Sequence, residues 1–210
     1  MNFENPEPLK LVTPQGELRY SWLVDPDTKF DKCEYKVEVL VPAEQGQKII
    51  DDLDAYLEEW KQACMKSDPK KTDWKTVVPL PWGLDEDSKG KPCVRLKCKR
   101  KAKGIKKGSN PPEVWEFKVP IFDAKGCPVS DRTQVQKLGP GSTGRISLQA
   151  RPYSSTLGVG LVLSIQSAQI IKVVPYTAQS TEKFDAVEGG WTEEQTTAPA
   201  IEHQQAKADW

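Results

Sequence analysis

Apolar and polar residues alternate along several short stretches of the chain, and one longer stretch follows a different period. Tyr35, Val37, Val39 and Val41 alternate with Glu34, Lys36 and Glu38, which predicts a half-buried strand that Pro42 ends. After it, Ile49, Leu53, Tyr56, Leu57, Trp60 and Cys64 recur three or four apart, with Asp51, Asp52, Glu58, Glu59 and Lys61 between them. This spacing predicts an amphipathic helix of about five turns, bounded by Pro69, with Trp60 on its core side. The stretch from Ser67 to Pro92 carries Asp, Lys, Pro and Trp without a period and reads as a loop.

Alternation then returns. Val94, Leu96 and Cys98 interleave with Arg95, Lys97 and Lys99. Gly104, Gly108, Ser109, Asn110, Pro111 and Pro112 predict a long turn. Val114 to Phe122 reads as one strand, with Trp115, Phe117 and Val119 on a common face. Asp123–Gly126 and Gly139–Ser142 read as turns. Ile146, Leu148 and Ala150 alternate with Arg145, Ser147, Gln149 and Arg151. Val159, Leu161, Leu163 and Ile165 mark the next strand, and Ile170–Val174 a last apolar run. Short strands with one inserted helix predict a mainly β fold, and a five-stranded OB-fold barrel fits the strand count. Periodicity alone does not separate it from an SH3-like barrel or a sandwich. Beyond Pro175, Ala, Gln, Thr, Glu and Gly dominate and apolar residues thin out. Such a stretch buries too little surface to offset its ordering entropy, so 177–210 is expected to be a disordered tail after a domain spanning 1–176.

Charge adds to this division. The whole chain is neutral, with 30 basic and 30 acidic side chains. From Glu182 to Trp210 there are seven acids and two lysines, which leaves −5 on the tail and +5 on the body. A basic body suggests a polyanion partner, and an acidic tail can compete for the same surface. The five cysteines, without a leader-like N-terminus, are expected to be reduced thiols in a cytoplasm, and no apolar run is long enough to span a bilayer.

The strongest chemical signal lies between Lys89 and Lys107, where ten Lys or Arg occur without an acid. Arg95, Lys97 and Lys99 share a strand face, and Arg100, Lys101 and Lys103 continue toward the turn. A basic hairpin of this kind would track phosphates without reading sequence. Lysines also guard sheet edges, but a guard would not need ten charges of one sign. Tyr20, Trp22, Trp74, Trp82, Trp115 and Tyr153 lie in strand or loop contexts, where exposed rings could stack on bases. Tyr153 shares a face with Arg145 and Arg151 by period two. Catalytic constellations are missing: the one histidine, His203, falls in the expected tail, and Asp51, Asp52 and Asp54 read as a solvated helix face. Gly139–Gly144 precedes a strand and not a helix, so it is no phosphate loop. Cys93 and Cys98, without a paired CxxC, make no zinc set. No enzyme, metal or cofactor is expected.

Several segments, taken in order, resemble a known family. They are Tyr20-Ser-Trp22-Leu-Val-Asp-Pro26-Asp27, then Tyr35–Pro42 with the helix behind it, then Val94–Cys98. There follow Val119-Pro-Ile-Phe-Asp123-Ala-Lys125-Gly126, Gly139–Gly144, Leu148-Gln-Ala-Arg151-Pro152-Tyr153, Gly158–Leu163 and Gln169–Val173. Over Leu18 to Val174 the chain is similar to the OB-fold single-stranded DNA-binding proteins encoded by short-tailed phages. The resemblance implies a protein that coats single strands during replication, recombination and repair in the cytoplasm of the infected bacterial host. It implies a tail that contacts replication proteins such as DNA polymerase through a terminal aromatic, here Asp209-Trp210, and it is compatible with a homodimer. The acids of this tail are scattered, where the family has runs. The residues expected to meet DNA are Trp22, Arg95, Lys97, Lys99, Arg100, Lys101, Lys103, Trp115, Arg145, Arg151 and Tyr153. The competing expectation is a structural or adaptor protein of a phage complex, whose basic hairpin meets an acidic protein surface.

Overall fold

The computed structural model describes residues 6–29, 32–69, 71, 74–106 and 108–176. They belong to the unit Met1–Thr177. The expected tail, with Asp209 and Trp210, lies outside the described residues. The chain forms β1 (Leu9–Val12), β2 (Gly16–Asp27), β3 (Glu34–Pro42), helix α1 (Ala43–Ser67), β4 (Trp82–Glu86), β5 (Pro92–Lys101), β6 (Lys103–Ile105), β7 (Val114–Glu116), β8 (Ile121–Phe122), β9 (Thr143–Ser155) and β10 (Gly158–Lys172). The fold is mainly β with one helix. No helix among the described residues is long and apolar enough to cross a membrane.

The pairings run β2–β3–β5–β10–β9 and return from β9 to β2, so five strands form a closed circuit. All joints are antiparallel except β5–β10, which is parallel and registered through Leu163 and Cys98. β1 extends the circuit on β9, β4 on β5 and β8 on β10, while β6 and β7 make a separate hairpin. Inside lie Leu18, Val37, Val39, Leu96, Cys98, Ile146, Leu148, Ala150, Leu163 and Ile165, all almost fully buried. These are the apolar members of the alternating runs, as the period of two requires.

Helix α1 buries Gly46, Ile49, Leu53, Tyr56, Leu57, Trp60 and Cys64, the stripe that the spacing predicts. It runs for 25 residues, longer than expected, because its first turn after Pro42 is polar and adds nothing to the period. Gly46 lets it approach β5: a Cβ there would stand 2.6 Å from Val94. The Trp60 indole N–H donates to the Tyr153 carbonyl at 3.0 Å, and the Trp82 N–H donates to Asp54 at 3.0 Å.

Four expectations need correction. The stretch Ser67–Pro92 is not all loop: it contains β4 and buries Trp74 and Trp82. Leu84 of β4 is exposed, so this edge strand lacks the alternation that would announce it. Val114–Phe122 is not one strand, because it changes partner. Val114–Glu116 pairs with β6, while Ile121 and Phe122, beyond Pro120, pair with β10. Gly104 is not a turn residue but sits in β6 opposite Trp115. Finally, Ile170 belongs to the same strand as Val159. Register shifts between Ile165 and Ser167, and between Ile170 and Lys172, break the period and make one strand read as two runs.

Candidate nucleic-acid interface

The outer surface of β2, β3 and β5 is ordered in rows. Trp22 stands opposite Lys36, and Lys36 opposite Lys99; in the next row come Arg19, Glu38 and Lys97. Residues opposite one another in antiparallel register share a face, so each row presents its side chains side by side. The ten cations between Lys89 and Lys107 are less uniform than their count suggests, because neighbouring strands supply acids. Arg95 is paired with Asp85 of β4 at 2.6 Å, Lys97 with Glu38 of β3 at 3.6 Å and Lys106 with Glu113 at 3.1 Å. Lys36 is paired with Asp27 at 2.7 Å. That hydrogen bond, with one from the Lys29 amide, holds the Asp27 carboxyl below its ordinary range. Lys99, Lys101 and Lys103 are exposed and have no hydrogen bond or ion pair among the described residues. They lead from β5 onto the β6–β7 hairpin.

Arg100 points the other way from its neighbours. Its guanidinium lies 3.4 Å from the Phe117 ring centroid and donates to the Ile165 carbonyl at 3.0 Å and to the Gln166 side chain at 2.8 Å. Burial, and then the like charge of Arg151, lower its pKa. Arg100 therefore ties the base of the hairpin to β10.

Two rings of the expected site are laid down in the same way. Trp115 faces Gly104 across the hairpin, and a Cβ on Gly104 would come within 2.7 Å of the indole. Tyr153 faces Gly160 across the β9–β10 ladder, and a Cβ on Gly160 would come within 2.5 Å of the phenol. In both pairs a missing side chain lets the ring lie over its partner strand. The Trp115 side chain stays 38% exposed. Arg151 and Tyr153 share the outer face of β9 as period two requires. Arg145 lies on the same face but six residues away, about 20 Å along a strand, with its Nε bonded to the Thr13 carbonyl. The structure thus groups Trp22, Lys97, Lys99, Lys101, Lys103 and Trp115 on the β2–β3–β5 side and its hairpin. It places Arg151 and Tyr153 on the β9–β10 side, leaves Arg145 apart and turns Arg95 toward Asp85.

Sequence reasoning left out Lys36, which reads only as the polar half of a strand, and a depression beside Trp22. The β2–β3 register slips between Arg19 and Trp22, and Tyr20 at the slip takes φ +48°. Tyr20 is 75% exposed and Trp22 40% exposed. Across from them stand Leu138, Pro140 and Tyr176, and together these residues bound a groove of about 580 Å³. The Tyr176 amide donates to the Lys137 carbonyl, and the Gln136 side chain donates to Asp25 at 2.6 Å, which fixes the far wall. At the end of the groove Glu17 is tied up: burial opposes its charge, but bonds from Ser88 and Arg19 hold its carboxyl below the ordinary range. The Tyr20-Ser-Trp22 alternation was the available signal; the slip that exposes both rings was not visible.

No group of three side chains suited to a metal ion occurs among the described residues. No family profile and no curated protein sequence matches the chain. Solved structures do. The chain is similar to gp2.5, a single-stranded DNA-binding protein encoded by bacteriophage T7, with a TM-score of 0.67 at 18% identity over 89% of this chain and 99% of that one. It is also similar to the single-stranded DNA-binding protein from bacteriophage Enc34, with a TM-score of 0.54 at 12% identity over 84% of this chain and 87% of that one. The same Enc34 protein in complex with single-stranded DNA gives a TM-score of 0.54 over 80% and 88%. At these identities the likeness establishes a shared fold.

Proposed function

We propose that this chain is a non-enzymatic single-stranded DNA-binding protein of the phage type, which coats exposed strands with little sequence preference during replication, recombination and repair. One observation carries the reading. Lys99 and Lys101 of β5 and Lys103 of β6, unpaired among the described residues, lead onto the hairpin where the Trp115 ring of β7 lies over Gly104 and stays partly open. Cations spaced along a strand suit a phosphate backbone, and a ring with one free face suits a base. The fold shared with the T7 and Enc34 proteins, one of them seen with single-stranded DNA, supports it.

The circuit β2–β3–β5–β10–β9 is read as a five-stranded OB barrel, with α1 inserted between its second and third strands. Its two interaction surfaces, the β2–β3–β5 face with the hairpin and the Arg151–Tyr153 face, would carry one strand around the barrel. On sequence grounds alone, the acidic segment 177–210, ending in Asp209-Trp210, is assigned to protein partners such as a phage DNA polymerase. The cytoplasm of the infected host as site of action, and a homodimer, rest on the same grounds. The test is a titration with oligo-dT at several salt concentrations, read by tryptophan fluorescence. Quenching is expected, with an affinity that falls linearly in log–log form as salt rises. No quenching at any salt would refute the DNA reading and leave an adaptor for an acidic protein surface.

A further inference from the structure

The groove beside β2 is not accounted for by cations on a strand. Its rings are Tyr20, Trp22 and Tyr176, and its lining charges sum to zero: Glu17 is paired with Arg19 at 3.0 Å, Asp25 accepts a hydrogen bond from Gln136, and the exposed Lys137 supplies the second positive charge. A neutral cleft with aromatic walls does not suit a phosphate. It suits a flat, uncharged, polarisable group. Its mouth is continuous with the cationic face, because Trp22 heads the row that continues through Lys36 to Lys99.

Tyr20 is the unusual member. A bulky residue at φ +48° is an outlier, and such a conformation costs free energy that the surroundings must offset. A glycine there would adopt it without penalty. Yet the side chain of Tyr20 is 75% exposed, so the fold gains little burial from it. The slip also bears on what could fill the groove. An added peptide strand needs a regular row of backbone donors and acceptors along the edge of β2. The ladder here passes irregularly from Arg19 to Trp22 to Asp27, so a peptide would find no such row.

We propose that the groove between Tyr20–Trp22 and Leu138–Tyr176 is a nucleobase slot at the edge of the strand-binding face. One base leaves the run along β5 and stacks on Tyr20, while its flanking phosphates stay on the Lys36–Lys99 row. This rests on the single-stranded DNA reading above, and the test separates the two. The full chain is compared with Tyr20→Gly and Tyr20→Phe for oligo-dT binding over a salt series, with the thermal midpoint of each. Tyr20→Gly keeps the backbone conformation and relieves its strain, so the midpoint should hold or rise. Affinity should fall about five- to 150-fold at each salt concentration, with an unchanged salt slope, since no ionic contact is lost. Tyr20→Phe should restore it. In parallel, 5-iododeoxyuridine placed in the oligonucleotide should photocrosslink wild-type protein within residues 16–27. If wild-type protein binds oligo-dT but Tyr20→Gly binds as tightly, the slot reading is overturned alone and the groove passes to a protein partner. Crosslinks that consistently miss 16–27 overturn it as well, even where Tyr20→Gly lowers both midpoint and affinity. Wild-type protein that does not bind oligo-dT removes both readings.

Discussion

Gly160 and Gly104 show how much of this surface is decided by side chains that are absent. Each stands across a ladder from an aromatic residue and supplies the space into which the ring lies down. A ring held this way loses little freedom on binding, which is where much of the cost of stacking would otherwise arise. Tyr153→Ala should therefore weaken oligo-dT binding by about 1–3 kcal/mol. The fold should remain, because Trp60 holds the Tyr153 carbonyl and not its ring. Gly160→Ala keeps the phenol but lifts it from the sheet, so binding should weaken in the same direction with Tyr153 present. Equal affinity for Gly160→Ala and wild type, measured by the same titration, would show that the flat pose is irrelevant. The candidates Tyr153 and Trp115 were legible in the sequence as aromatics beside cations. Their glycine partners were not, because Gly160 follows Tyr153 by a hairpin whose register the sequence leaves open, and Gly104 looks like a turn.

Strand β5 and its hairpin form the element on which the charge reading turns. Ten cations in a row were plain from sequence, but their partners come from other elements: Asp85 from β4, Glu38 from β3 and Glu113 from the far arm of the hairpin. A charge shared with a neighbouring carboxylate releases fewer counterions than a free one when a phosphate arrives. Reversing Lys99 and Lys103 together should lower the salt slope of oligo-dT binding by about 1.4, at roughly 0.7 per single-strand phosphate contact. Reversing Lys97 alone should change it less than reversing Lys99 alone. Equal slopes for the double variant and wild type would take the hairpin out of the interface. The same element scale explains which strands could be read. β3 as far as Val39, β5 from Val94 to Lys99 and the core half of β9 alternate because one face meets the interior. β2 does not: it buries Gly16 and Leu18, then Leu23 and Asp27, and the slip at Tyr20 moves the buried set from even to odd positions. β4 escaped because only Trp82 faces inward.

For the whole molecule, the mainly β class followed from composition and period, while the path of pairings did not. Nothing in the alternation of β5 and β10 says that they run parallel, or that β9 returns to β2 through Gly16 and Gly144. Such joints depend on backbone geometry between distant segments, which hydrophobic pattern does not encode. Among the described residues the interior is built by residues up to Ile170, so a chain lacking 178–210 is predicted to keep the thermal midpoint of the full chain within about a degree or two, the shift of a surface change. A drop of ten degrees in differential scanning fluorimetry would give that segment a part in the fold. The parallel joint has a consequence of its own. It is registered through a single pair, Leu163 with Cys98, whereas β9 and β10 are zipped along nearly their whole length. With one registered pair, against two at the β9–β2 joint, the circuit should breathe first at the seam between β5 and β10, and amide exchange would begin there, beneath the exposed lysines of β5.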